Sequence, residues 1–437
     1  MKSGIVVSVI LLLAVLSPAQ AGTNSVLVTP VFLNQLAEEM RTNHPALTAA
    51  RARTNAAAAS VAAVRTWDDP MVRVGGMFSE TRMRADDGDI IYGAEQKLPL
   101  FGKPALARRV AQADFVVETA NAEYQFQILR GDLAKAVFRA ALAEETVAVG
   151  EQDLRWLQTI SESVEGRYRA GESTLVDVLK SQNERTARAT QLRTDGENLS
   201  HARLAINRLL NRKLQSGWPS LKLPEVAAQV RYSEKLVAFA TRYEPKLRMM
   251  REQVKQAQAI VDSTRRARLP DVSLGVESRN YSGNAEWRQA EVMLSFNLPL
   301  FNAGKYRSEI RRDEAKRKAA EADAADYELS LREEVHNLTV KIDAARREAL
   351  AYHDEIIPRS ESALESARAG WEAGRAMFRD VLDARRMLLD ARLAYARAVS
   401  EQYQMLSDLV LCCGIGDLEA LQMLEQEAET QDGVKNP

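Results

Sequence analysis

Two acids three residues apart, Asp380 and Asp383, stand close to Arg375, Arg379 and Arg385. Carboxylates at that spacing share one side of a helix start. Repeated by symmetry around a narrow opening, they would focus negative potential and hold a divalent cation. A single copy would only complement the positive end of a helix. The chemistry on offer is therefore the placing of charge rather than bond making. His44, His201, His336 and His353 are scattered, and no His-Glu-x-x-His, phosphate loop or nucleophile elbow occurs. Met71, Met77 and Met83 could hold a soft ion or serve as adaptable apolar side chains. Cys412 and Cys413 are neighbours with too little backbone between them for a relaxed disulfide, which leaves helix packing or an interchain bond. No catalytic residue, cofactor or resident metal is expected. Lys and Arg number 59 against 60 acids, a net charge of -1 that excludes a nucleic-acid binder driven by bulk charge.

A second set of residues lies at helix ends. Gly171 and Gly374 follow long helical patterns, and a glycine there commonly takes the left-handed conformation. Ser173 or Thr174 can cap the next helix. Leu175 and Asp177 follow the first turn, and Met377 and Phe378 the second. These read as exposed tips carrying apolar side chains, suited to docking a partner. A third set alternates. Val72, Val74, Gly76 and Phe78 face one way and Arg73, Gly75 and Ser79 the other. Val292, Leu294, Phe296 and Leu298 likewise oppose Glu291, Met293, Ser295 and Asn297. Such a period is a strand with two different faces. Arg73, Glu277, Glu291 and Asn297 then belong to a face that meets water.

The elements that position these residues are written twice. His44-Pro45-Ala46-Leu47, Asp69 to Gly75 and Leu98-Pro99-Leu100-Phe101 recur 200 residues later. Tyr168-Arg169-Ala170-Gly171 and Asp177-Val178-Leu179 recur at an offset of 203 as Trp371 to Gly374 and Asp380-Val381-Leu382. Each half holds a first helix (31–66, 231–267) and a hairpin with a polar tip loop (82–89, 279–286). A very long helix and a returning helix follow. Phe126, Leu129, Leu133, Ala136 and Ala140 step by three and four, as do Leu331, Val335, Leu338, Ile342 and Ala345. That is a coiled-coil seam. With 21 Gly and 13 Pro in 437 residues, an all-β sandwich or a globular α/β enzyme is excluded.

Residues 1–21 read as a secretory signal peptide, with a basic start, an apolar run from Ile5 to Leu16 and Ala19-Gln20-Ala21 at the cleavage site. The expected division is 22–220 for the first repeat, 221–415 for the second and 416–437 for a tail. Four strands cannot close a barrel, so an exported chain of this kind must share one. Three copies would supply twelve strands, four from each.

The paired layout, the Pro-Leu-Phe elements after each hairpin and the segment Trp371 to Ala384 resemble the TolC-type outer-membrane efflux proteins. The resemblance covers about 30–415. It implies a mainly helical fold with a membrane β-barrel, in which long coiled-coil hairpins form an α-barrel below strands shared by a homotrimer. It implies a channel-tunnel in outer-membrane lipid, with tips Gly171 to Leu175 and Gly374 to Phe378 docking a periplasmic adaptor that leads to an inner-membrane pump. It also implies a cation-sensitive constriction at Asp380 and Asp383, with Arg375, Arg379 and Arg385 as candidates to hold the closed state by ion pairs, although the family's gate arginine falls on Ala376. Glu95 to Lys103 is similar to the branch serving heavy-metal pumps of the resistance-nodulation-division class. The competing class is a periplasmic coiled-coil adaptor or scaffold without a pore. An adaptor normally carries one helical hairpin, whereas this chain carries two along with two strand pairs.

Overall fold

The computed structural model describes residues 25–77, 88–283 and 285–415. The expected signal peptide, the tail, Phe78, Ser79, Met83 and most of the first hairpin tip lie outside the described residues. In chain order the elements are β1 (Ser25–Leu27), α1 (Pro30–Asn43), α2 (Pro45–Ala63), β2 (Met71–Gly76), β3 (Asp89–Leu98), α3 (Lys103–Arg169) and α4 (Leu175–Leu209). There follow β4 (Ser220–Lys222), α5 (Glu234–Tyr243), α6 (Pro245–Ala267), β5 (Val272–Tyr281), β6 (Trp287–Phe296), α7 (Ala303–Ala351), α8 (Ile357–Glu372) and α9 (Phe378–Cys413). A π-helical turn, Tyr352–Ile356, joins α7 to α8.

Each expected first helix is broken in two, at His44-Pro45 and at Glu244-Pro245. A proline pushes the preceding residue out of the helical region. His44 and Glu244 accordingly sit at ψ 126 and 127. Each then caps the helix that its proline starts: His44 Nδ1 accepts from Ala46 N–H, and the Glu244 carboxylate accepts from Leu247 N–H. The two long descents also differ. α3 runs 67 residues without a break, on the order of 100 Å at 1.5 Å per residue. Its counterpart is interrupted just before Pro358, whose missing N–H is accommodated by the π turn.

The seams pack as their spacing demands. Phe126, Leu133, Ala136 and Ala140 are buried with Met40, Val137, Phe138 and Ile206, and Leu129 packs against them. Leu331, Val335, Leu338 and Ile342 form the matching core of the second repeat, and Ala345 is buried beyond them. The upper part of α3 packs between α2 and α6, and its lower part between α4 and α9. The linker after α4 supplies β4, which pairs parallel with β1 from Ser25↔Ser220 to Leu27↔Lys222. Arg212, just beyond α4, forms a two-pronged ion pair with Glu39 at 2.6 and 2.5 Å and lies 4.9 Å over Trp218. Cys412 and Cys413 are free thiols. Burial pushes the Cys413 thiol up to about 12 and Cys412 further in the same direction, so both stay neutral and serve as packing.

The two hairpins join into one antiparallel sheet in the order β2-β3-β5-β6. Its outer strands, β2 and β6, keep free edges. Among the described residues no helix is long and apolar enough to cross a membrane.

Candidate functional site

The sheet has two chemically distinct faces. Val72, Val74, Tyr92, Val276, Val292 and Leu294 share one, and all are exposed in the single chain. The other carries the row Arg73, Gly93, Glu277 and Glu291, each in register with the next. Arg73 meets Glu95 at 2.6 Å, and Ser295 donates to Glu95 at 3.1 Å. Arg279 lies 3.4 Å from Glu277 and 3.9 Å from Glu291. Three of the four expected water-facing residues thus share one charged stripe. Asn297 is a correction. It falls just beyond β6, where its Oδ1 accepts from Asp271 N–H at 2.6 Å and clasps the sheet end.

The opposite pole is formed by the two helix tips. Gly171 has φ +78° and Gly374 φ +71°, as a turn closing on a left-handed residue requires. In the first tip, Thr174 and Asp177 form a reciprocal capping box: Thr174 Oγ1 accepts from Asp177 N–H at 3.2 Å, and Asp177 accepts from Thr174 N–H at 3.4 Å. In the second, Asp380 accepts from Met377 N–H at 3.1 Å. Both acids are therefore engaged in starting a helix. Arg167 ties the tips together, donating to Glu372 O at 3.2 Å and lying 4.7 Å over the Trp371 ring.

Phe378 is a second correction. It was expected at the exposed tip, but it is buried against Trp371, ring centroids 5.4 Å apart, in a cluster with Leu157, Ile160, Val164 and Val178. Met377 and Leu175 are exposed as expected. The 203-residue offset makes the tips comparable position by position. Trp371, Phe378 and Leu382 are 6%, 2% and 6% exposed, whereas Tyr168, Leu175 and Leu179 are 44%, 52% and 51% exposed. The second tip buries these three positions against the first, whereas the matching three of the first find no such cover among the described residues.

The charged groups around the tips divide by partner. Asp383 lies 3.3 Å from Arg379 and 3.7 Å from Arg386, both on its own helix. Among the described residues no acid lies within ion-pair distance of Arg375. Arg385 reaches across to Asp153 on α3 at 2.7 Å and stacks 4.8 Å over Trp156. Arg188 of α4 approaches the same carboxylate at 3.5 Å. Gly150 makes room for it, since a Cβ there would stand 2.6 Å from the guanidinium. Arg386 also pairs with Glu184 of α4. Asp153 and Arg386 sit in no local motif, and the partners that bind them to the other repeat, Arg385 and Glu184, lie 232 and 202 residues away. Among the described residues no group of three or more His, Cys, Asp or Glu could hold a metal ion.

The family model of outer membrane efflux proteins matches residues 36–212 and 240–414, most of the chain. The chain belongs to the outer membrane efflux protein family. It is similar to the cobalt-zinc-cadmium resistance protein CzcC of Cupriavidus metallidurans, 25% identical over 291 residues, which are 63% of this chain and 65% of that one. The chain thus spans just under two thirds of that relative. It is 24% identical to the pyoverdine export outer membrane protein OpmQ of Pseudomonas putida over 408 residues, 85% of this chain and 83% of that one. Among solved structures, the outer-membrane channel OprN superposes with a TM-score of 0.77 at 21% identity, covering 88% of this chain and 90% of that one. This outer membrane efflux protein therefore has the duplicated, mainly helical fold of the outer-membrane channels, and its place is the outer membrane. The family is one of efflux channels, not of pore-free scaffolds.

Proposed function

We propose that this outer membrane efflux protein is the passive exit duct of a tripartite export system. The observation that carries the reading is the two-faced sheet with two free edges, continuous with helical hairpins on the order of 100 Å long. Three copies close one barrel of twelve strands, apolar face to lipid and the Arg73–Glu277–Glu291 row to water. The helices, in two repeats spanning 22–220 and 221–415, extend into the periplasm. The unequal exposure of the two tips supports this closure. Tyr168, Leu175 and Leu179 of one copy are covered by the second-repeat helices of the next, as Trp371, Phe378 and Leu382 are covered within the chain. Met377, exposed Val176 and the glycine turns remain for a periplasmic adaptor, which leads to an inner-membrane pump. Asp380 and Asp383 ring the entrance and attract cations.

Heavy-metal cations are the proposed cargo, on the similarity to a cobalt-zinc-cadmium resistance protein. The test is deletion of the gene followed by scoring growth on cobalt, zinc, cadmium, detergents and siderophores. Sensitivity confined to the divalent metals, restored by the intact chain, is the expected result. Sensitivity confined to organic compounds would discard the cargo while leaving the duct. Cross-linking in detergent should stop at three chains, and a monodisperse monomer would end the duct reading.

A further inference from the structure

The antiparallel sheet brings four helix ends to one edge. α2 and α6 end where β2 and β5 begin, and α3 and α7 begin just beyond β3 and β6. Contacts hold these ends at one level. Lys103 Nζ lies 2.8 Å from Asp271 and 2.6 Å from Leu269 O, Arg266 reaches Phe101 O at 3.4 Å, and Arg265 pairs with Glu314 at 2.7 Å. Near each of the four ends lies an exposed arginine: Arg65 and Arg268 just past α2 and α6, and Arg108 and Arg311 as the sixth and ninth residues of α3 and α7. No acid lies within ion-pair distance of any of them among the described residues. Helix stability does not account for the set. A cation near a C-terminal end, as Arg65 and Arg268 are, gains from the helix dipole. Arg108 and Arg311 lie near the N-terminal ends of α3 and α7, where it gains nothing. Directly above this level the chain exposes large apolar groups: Trp67, Phe101, Leu298 and Phe301, the last 89% exposed. Aromatic side chains immediately above cations match the order of layers at a lipid surface, with acyl boundary first and headgroup phosphate next.

We propose that Arg65, Arg108, Arg268 and Arg311 form a collar that binds the headgroups of anionic phospholipids on the helical side of the barrel. The apolar strand face continues into the acyl layer, so collar and sheet meet the same leaflet. The inference rests on the reading above, in which that face meets lipid. It goes beyond it by assigning a lipid class and four residues.

The experiment uses the full chain in nanodiscs of phosphatidylcholine with a minority of phosphatidylglycerol, the lipids retained by the protein being counted by native mass spectrometry. The wild type should retain phosphatidylglycerol over phosphatidylcholine by about fivefold, the weight of a single basic contact at an anionic surface. Replacing all four arginines (Arg65→Gln, Arg108→Gln, Arg268→Gln and Arg311→Gln together) should bring the ratio close to unity, and the matching set of lysine replacements should preserve it. Equal retention of the two lipids by the wild type would overturn the collar, as would an unchanged ratio in the glutamine variant or loss in the lysine variant. Displacement of phosphatidylglycerol by millimolar inorganic phosphate, but not by sodium chloride of equal ionic strength, would also overturn it by revealing a small-anion site. If the glutamine variant does not fold, the wild-type ratio and the lysine variant still decide. Flotation with phosphatidylcholine vesicles containing a minority of phosphatidylglycerol separates the two readings. A wild type that fails to insert there ends the barrel reading, whereas one that inserts without lipid preference ends only the collar.

Discussion

His44 and Glu244 occupy the same place in the two repeats and answer pH in opposite directions. Burial, and then the charge of Arg208, hold the His44 pKa below its ordinary value of 6.5. The neutral ring is the form that caps α2, because only an unprotonated Nδ1 can accept from Ala46 N–H. A lowered pKa means that the unfolded chain binds the proton more readily. The contribution of His44 is therefore complete above pH 6.5 and is lost as pH falls through its folded value. His44→Asn, which caps without titrating, should flatten the fall of the thermal midpoint between about pH 7 and pH 5, read by circular dichroism. Glu244 runs the other way. Burial raises its pKa despite the amides of Leu247 and Lys246 and the hydroxyl of Tyr327. Its contribution is complete at low pH and is lost as pH rises through the folded value. Glu244→Gln should thus raise the midpoint at neutral pH; an unchanged or lower one would remove the buried-charge argument. Asp153 is the third decisive residue. Replacing it with Asn leaves two half-buried guanidiniums without this buried carboxylate, at a cost of about 3 kcal/mol. Limited proteolysis should then open the tips while sparing the barrel.

At the scale of elements, the tips depend on backbone that only glycine adopts easily. Gly171→Val or Gly374→Val strains a positive φ and should impair adaptor binding and efflux, with the barrel still inserted; normal efflux from the double variant would count against docking at these turns. The acids of α9 make a separate case. Asp380 is bound to a backbone amide, and among the described residues Asp383 pairs only with arginines of its own helix. Neither ties α9 to a neighbour, whereas Arg385 and Arg386 do, through Asp153 and Glu184. Neutralising Asp380 and Asp383 together as Asn should therefore abolish block by divalent cations with conductance unchanged. Arg385→Ala should raise conductance with block retained. Planar-bilayer recordings separate the two, and cation block that survives the double Asn variant would leave both acids as helix-start residues.

As a whole molecule, the single chain leaves much uncovered. Two strand edges are free, an entire apolar sheet face is exposed, and the first tip lacks the cover that its counterpart has. Edges of this kind invite pairing with another copy. If Tyr168 and Leu179 are contacts between copies, a charge at Leu179 should split the helical end of the assembly and leave its barrel end joined. Leu179→Arg is expected to lose cross-links placed at the tips and to keep those placed between β2 and β6. Tip cross-links that persist would mean that this surface faces the adaptor instead.

The sequence by itself determined the duplication, the two-faced strands, the coiled-coil seams and the turn glycines. Each of these is written in local spacing: period two for a pleated strand, three and four for a packed helix, and a glycine where φ turns positive. It also placed Arg73, Glu277 and Glu291 on one face, because alternation alone decides that. Tertiary structure decided the rest. Asn297 follows the alternation, yet its side chain is used at the strand end, since β6 stops one residue earlier. Phe378 sits in a turn motif, yet it is buried, because the hairpin of the first repeat lies against it. Asp153 takes Arg188 from the other arm of its own helical hairpin and Arg385 from the second repeat, and Arg188 fits beside it because residue 150 has no side chain. Spacing along a chain records which face a residue takes; which partner waits at that face depends on segments two hundred residues away.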